Sequence, residues 1–188
     1  MRVIAGAAKG RRLDSVKGLK TRPTSDRVKE SLFSILGERV AMGRFLDLYA
    51  GSGAVGIEAL SRGAPAAVFV DHSRAAVQVI RRNLERTGLA ELAEVYQTNV
   101  ERAVSILAKR RLDFACIFLD PPYSSGRAAG TLAAIDQSSL AGPDTLVIVE
   151  HGRQEEVPER VGSLRLCRVQ AYGDTKISFL LRQDSIDY

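Results

Sequence analysis

The chain has 188 residues, 45% of them hydrophobic and 26% charged, which suits one soluble globular domain with room for a small appendage and is long enough for a real core. No apolar run approaches the roughly 20 residues of a membrane span. The opening "MRVIAGAAKGRR" has no long apolar segment, so no signal peptide is expected. The net charge of +5 is unevenly placed: residues 1–30 hold nine basic and three acidic residues, a net of +6, and the remainder sums to −1. A basic end on a nearly neutral body points to a polyanion-binding element.

In chain order, "RVIAG" and "RRLDSV" flank the small basic turn "AAKG" and predict a β-hairpin. "GLKTRPTS" reads as a loop. Thr24 or Ser25 can cap the helix that follows, with Val28, Leu32, Ile35 and Leu36 as its apolar stripe and Gly37 as its stop. From Phe45 onward strands and helices alternate. "FLDLY", "AAVFVD", "EVYQT", "DFACIFLD" and "DTLVIVEH" are strands, and "AVGIEALSR", "SRAAVQVIRRNLERTG", "VERAVSILAKR" and "GRAAGTLAAID" are the helices between them. Such alternation builds βαβ units on a parallel sheet. Near-continuous Val, Ile, Leu and Phe runs fit strands covered on both faces. "LRLCRVQAYG" and "TKISFLLR", separated by a short turn, then form an antiparallel hairpin at the sheet's end. Cys116 and Cys167 lie in these apolar strands and are expected to be small buried hydrophobes. With His72 and His151 far apart, no metal site is expected, and a reducing cytoplasm is the natural setting.

Two stretches carry chemistry. In "FLDLYAGSGAVGIEAL", Gly51, Gly53 and Gly56 match G-x-G-x-x-G between a strand and a helix. The glycines permit a tight turn and close approach of a ligand to the backbone. Asp71 ends the next strand, 20 residues after Gly51, where a carboxylate can accept from the hydroxyls of an adenosine ribose. This suits an adenosine-containing ligand without separating a nicotinamide dinucleotide from S-adenosylmethionine. Asp47, inside the first strand, has two open readings. It can pair with an ammonium group, which favours S-adenosylmethionine, or it can cap the glycine loop. The second stretch is "LDPPYSS". Pro121 and Pro122 strip two donors from the backbone, leaving the Asp120 carboxylate and the carbonyls of Asp120 and Pro121 as acceptors. Tyr123 adds a flat ring. In an open α/β sheet the ligand lies at the carboxyl ends of the strands. If the fourth strand lies beside the first, Asp120 faces the same crevice as the glycine loop. Acceptors beside a ring fit an amino group on a planar base, with stacking worth about 1–3 kcal/mol per base.

"DPPY" after the fourth strand together with a glycine loop after the first resembles the class I S-adenosylmethionine-dependent methyltransferases that modify exocyclic amines. "MRVIAGAAKGRRL", "TRPTSDRVKESLFSIL", "LDLYAGSGAVGIEALSRGA", "FLDPPY" and "YGDT" narrow the resemblance, nearly end to end, to the RsmD family of bacterial 16S rRNA guanine-N2 methyltransferases. The resemblance implies a Rossmann-like α/β fold: a mostly parallel seven-stranded sheet, a C-terminal antiparallel hairpin and a small N-terminal hairpin and helix extension. It divides the chain into a basic RNA-binding arm, residues 1–24, and a methyltransferase domain, residues 25–188. It implies S-adenosylmethionine as cofactor, with Asp47, Tyr49, Gly51, Ser52 and Gly53 at its methionine part and Asp71 at its ribose. Asn99 stands where the family usually has an acid beside the adenine, and Asp120 borders the cofactor. Asp120, Pro121 and Tyr123 would hold the target guanine. Arg22, Pro23, Thr24 and Arg27 would lie near RNA and the mouth of the site, with Arg11, Arg12 and Lys20 on the basic arm. The implied partner is 16S rRNA in an assembling or assembled 30S subunit, met by a cytoplasmic monomer without metal or membrane.

Three rival readings differ in testable ways. Another amino-group methyltransferase, acting on adenine in DNA or another RNA, shares the pocket motif; no DNA-reading domain is visible. A non-catalytic RNA-binding assembly factor would not need an intact glycine loop, Asp71 and Asp120. A nicotinamide oxidoreductase would not need "DPPY" or the terminal hairpin. A cysteine nucleophile is disfavoured, since Cys116 is mid-strand and Cys167 lies in the last hairpin.

Overall fold

The alternation that begins at Phe45 folds into one sheet of eight strands, ordered β3-β2-β1-β4-β5-β8-β7-β6. A computed structural model describes residues 1–16, 25–122 and 126–183. Its strands are β1 (Phe45–Leu48), β2 (Ala67–Asp71), β3 (Ala93–Gln97), β4 (Cys116–Leu119), β5 (Leu146–Gly152), β6 (Arg160–Val161), β7 (Leu164–Tyr172) and β8 (Thr175–Arg182). The helices are α1 (Asp26–Leu36), α2 (Ala54–Ser61), α3 (Arg74–Thr87), α4 (Val100–Lys109) and α5 (Arg127–Asp136). The first five strands run parallel, β1 between β2 and β4, and β8 runs antiparallel between β5 and β7. The seven expected strands are joined by the two-residue β6, too short to leave a periodic pattern.

Local signals explain the helix ends. Ser25 caps α1 by accepting from Val28 N, Ser73 caps α3 by accepting from Ala76 N, and Asn99 caps α4 by accepting from Arg102 N. The sheet divides the core in two. On one face the side chains of Phe45, Phe69, Cys116, Phe118, Ile148 and Phe179 meet α1, α2 and part of α3. On the other, Leu46, Leu48, Val68, Ile117 and Val149 meet α4 and α5. Strands covered on both faces need the unbroken apolar runs seen in the sequence.

Helix α2 is buried at every residue, because the N-terminal segment lies across it. Val3, Ala8 and Leu13 enter the same core as α1 and α2. The expected hairpin shrinks to a single antiparallel bridge, Arg2 with Arg12. The reason is competition for backbone donors. Ile4 N and Ala5 N donate to the Glu58 carboxylate at 2.8 and 3.0 Å, and Ala7 N donates to the Ser61 carbonyl at 2.8 Å. A longer ladder would forfeit these bonds.

Glu58 also meets Lys29 Nζ at 3.4 Å and Arg62 Nε at 2.8 Å, and Lys29 donates to the Arg2 carbonyl at 2.6 Å. Glu58 and Lys29 are both fully buried. Lys29 belongs by sequence to the basic end, yet it is a core residue. Burial pulls its pKa down, and the Glu58 charge opposes that shift. Cys116 is buried as expected, and burial pushes its thiol up to about 12. Cys167 is exposed. It sits at a register shift between Leu166 and Arg168 that takes it out of the strand's alternation. Its Sγ lies 3.2 Å from the Phe179 carbonyl.

Glu58→Ala strands Lys29 in the core and removes the acceptor for two backbone N–H groups. Breaking a buried pair from one side costs about 3–5 kcal/mol, so urea denaturation should show a loss of that size. A loss within experimental error would show that the N-terminal segment is not held through Glu58.

Candidate functional site

Parallel register sets the site. Asp47 pairs with Phe69 and Phe118, and Leu119 pairs with Val149. Side chains alternate along a strand and align across it. Asp47, Asp71, Asp120 and Glu150 therefore share the face that carries Phe45, Phe69, Phe118 and Ile148. They lie at the carboxyl ends of four adjacent strands. Asp71, Asp120 and Glu150 continue one row, with Asp47 one step below it. β1 and β4 are neighbours although β2 and β3 separate them in sequence, so the row straddles the point where strand order reverses. Ligands of open α/β sheets bind at this point.

The glycine loop lies over the same end. After β1, Tyr49 adopts φ 61°, a strained conformation for a residue with a side chain. Its ring turns to the opposite face, where the hydroxyl pairs with Thr131 Oγ1 on α5 at 2.8 Å. Gly51 and Gly53 follow in left-handed backbone (φ 56° and 75°), and Gly53 opens α2. Gly56 is needed for space: a Cβ there would stand 2.4 Å from Phe69 Cε1 and 3.1 Å from Asp47 Oδ2.

Each acid has a definite environment. Asp47 is 2% exposed, and its Oδ2 accepts from Gly56 N at 2.9 Å. It thus caps the loop and helix, one of the two roles open to it in the sequence. Burial raises its pKa to about 8, opposed by the Gly56 bond and aided by Asp71 and Glu150. Asp71 accepts from Gly51 N at 2.9 Å and from Ser73 N at 2.8 Å, one bond on each oxygen. An ionised carboxylate has about four lone-pair sites, so both oxygens keep acceptor capacity for ribose hydroxyls. Burial, then the charges of Glu150 and Asp47, hold the Asp120 carboxyl well above its ordinary value. Pro121 is buried behind it and Pro122 is exposed. Carboxyls crowded into a low-dielectric corner repel one another, and a cationic ligand relieves that repulsion.

The structure brings Asp47, Gly51, Ser52, Gly53, Asp71, Asp120 and Pro121 to one end of the sheet, with the Tyr49 backbone beside them. Asn99 is exposed beyond β3, its Oδ1 committed to Arg102 N. Arg11, Arg12 and Arg27 are exposed. Lys20, Arg22, Pro23, Thr24 and Tyr123 lie outside the described residues. Sequence reasoning missed two residues. Glu150 ends "LVIVE" with the signal that marked the other three acids, a charge closing an apolar strand. Asn83 is a fully buried amide within the apolar stripe of α3.

Comparison with known proteins agrees with this arrangement. The family model "Conserved hypothetical protein 95" matches residues 1–181. The "Putative rRNA methyltransferase YlbH" of Bacillus subtilis is 46% identical over 178 residues, which are 95% of this chain and 97% of that protein. The "Ribosomal RNA small subunit methyltransferase D" of Escherichia coli K12 is 32% identical over 97% of this chain and 90% of its own. Among solved structures, the "Putative methyltransferase yhhF from Escherichia coli" superposes with a TM-score of 0.82 at 32% identity, covering 97% of this chain and 98% of the other. An RNA methyltransferase of Salinibacter ruber, solved with S-adenosyl-L-homocysteine, shares the fold at a TM-score of 0.67 and 16% identity, over 89% of this chain and 98% of its own. A glycine loop at the switch point, an acid row beside it and a match along almost the whole length place the chain in the RsmD family of class I methyltransferases.

Proposed function

We propose that this protein transfers a methyl group from S-adenosylmethionine to the exocyclic N2 amine of a guanine in 16S rRNA. The observation that carries the reading is the row of Asp47, Asp71 and Asp120 at the switch point, with the Asp120-Pro121-Pro122 corner at one end, where the two prolines lack backbone donors and the Asp120 N–H is spent on the Leu48 carbonyl. S-adenosylmethionine, the cofactor of this family's methyltransferases, supplies a methyl already activated on a cationic sulfur. The residues fit it. Asp71 keeps acceptor capacity for a ribose, Gly51 and Gly53 admit a ligand to the backbone, and Asp47 offers a buried carboxyl to an ammonium group. Ser52 and Tyr49 shape the loop at the methionine part, and Asn99 offers its amide N–H groups to the adenine.

Guanine N2 is a poor nucleophile because its lone pair is delocalised into the ring, so much of the task is alignment. Asp120 and the Pro121 carbonyl accept its N–H bonds and hold it in line, and these bonds strengthen as nitrogen gains positive charge. Burial and the neighbouring acids raise the Asp120 carboxyl above its ordinary value, which makes it a better proton acceptor than an exposed carboxylate and the candidate base for the proton N2 must lose. Tyr123 stacks on the base, which must leave its helix to arrive. The Cys116 thiol, held protonated by burial, plays no nucleophilic part. Arg11, Arg12, Lys20, Arg22, Pro23, Thr24 and Arg27 form the RNA-facing side. The "small subunit" in the relatives' name supports 16S rRNA, within the 30S particle, as the substrate. No helix among the described residues is long and apolar enough to cross a membrane. The reading places the protein in the cytoplasm, where rRNA is found, and takes it as a monomer.

Purified protein given labelled S-adenosylmethionine and undermethylated 30S subunits should yield N2-methylguanosine in 16S rRNA. Label recovered as N6-methyladenosine, or in DNA alone, refutes the reading. Asp120→Ala should lower turnover by at least about 100-fold while cofactor binding, followed by calorimetry, persists. Loss of cofactor binding instead would mean that Asp120 belongs to the cofactor rather than the base. Neutralising Arg11, Arg12 and Lys20 together should weaken RNA binding and flatten its logarithmic salt slope by about 0.7 per lost phosphate contact. An unchanged slope removes these residues from the RNA interface.

A further inference from the structure

The root of the N-terminal basic segment and the cofactor loop are joined through one buried amide. Asn83, on α3, is fully buried. Its Oδ1 accepts from Asp14 N at 2.8 Å, and its Nδ2 donates to the Asp14 carbonyl at 3.1 Å and to the Ser52 carbonyl at 2.9 Å. The opposite orientation of the amide would set two carbonyls against its oxygen, so the three bonds fix the side chain. Asp14 lies three residues before Lys17, where the chain enters the stretch that carries Lys20 and Arg22. Ser52 lies between the two loop glycines. A second contact runs parallel to the first, from Ser52 Oγ to Met1 Sδ at 3.9 Å.

The description resumes at Ser25, which caps α1, and Lys29, one turn later, reaches Glu58 on α2. α2 starts directly after Gly53. Asp14 and Lys29 are therefore both held by elements that frame the glycine loop. The exposed pairs from Asp14 to Arg86 at 2.7 Å and to Arg82 at 3.8 Å add little, as surface ion pairs do. The buried amide is the stiff part of the link.

We propose that Asn83 is a positioning residue that couples the two substrates, so that a filled glycine loop sets the root of the basic segment for RNA and bound RNA tightens the hold on the cofactor. This rests on the reading of residues 1–24 as an RNA-binding element. Coupling of this kind is reciprocal: the factor by which RNA raises cofactor affinity equals the factor by which cofactor raises RNA affinity.

The test is the ratio of S-adenosylhomocysteine dissociation constants without and with saturating undermethylated 30S subunits. The native protein should show a ratio of about 5–100, and Asn83→Ala should bring it close to one. A merely structural role for Asn83 would shift both constants together and leave the ratio unchanged, which overturns the proposal. So does a native ratio of one when the subunits bind. Hydrogen exchange on the native protein decides the matter independently, including when Asn83→Ala fails to fold. S-adenosylhomocysteine alone should slow exchange of the amides of residues 13–16, Asp14 foremost, and protection confined to the glycine loop and strand ends refutes the link. If the subunits do not bind at all, the functional reading fails, and hydrogen exchange alone then supports or overturns the clamp.

Discussion

The buried carboxylate of Glu58 holds the front of this protein together. It sits mid-way along a helix with no exposed face, and it accepts from two backbone N–H groups of the N-terminal segment, from Lys29 on α1 and from Arg62. A charge in that position is tolerable only when its partners are all present. The N-terminal segment, α1 and α2 must therefore fold as one unit. Because α2 also starts the cofactor side of the site, a segment that looks like a loose basic arm is structurally part of the cofactor domain's core.

The site itself follows from the opposite electrostatic choice. At the switch point the fold gathers Asp47, Asp71, Asp120 and Glu150 on one face, where burial and mutual repulsion raise Asp47 and Asp120. Backbone N–H groups of Gly51, Gly56 and Ser73 absorb part of that cost. A polar corner of this kind weakens an apolar core unless a cation or a hydrogen-bond donor belongs there. On the proposed reading, a sulfonium cofactor and an exocyclic amine side by side at this row would meet both conditions.

Much of this was legible in the sequence because it is local. Strand and helix periods, the glycine spacing, an acid closing "AAVFVD" and the prolines after "FLD" each declare themselves within a few residues. The helix cap Ser25 does the same. What stayed hidden depends on partners distant in the chain. Lys29 reads as surface charge until Glu58, 29 residues on, is placed against it. Cys167 reads as buried until a register shift turns it outward. The N-terminal hairpin reads as a ladder until α2 offers better acceptors.

The sequence by itself determined the fold class, the position of the glycine loop, and the acceptor-only corner at Asp120, since chain stiffness, alternation and missing donors are properties of neighbouring residues. Only the tertiary structure decided that four acids, Glu150 among them, share one face, and that Asn83 ties Asp14 to the glycine loop. Those facts rest on which strands pair and in what register, and pairing is set by the packing of the whole core.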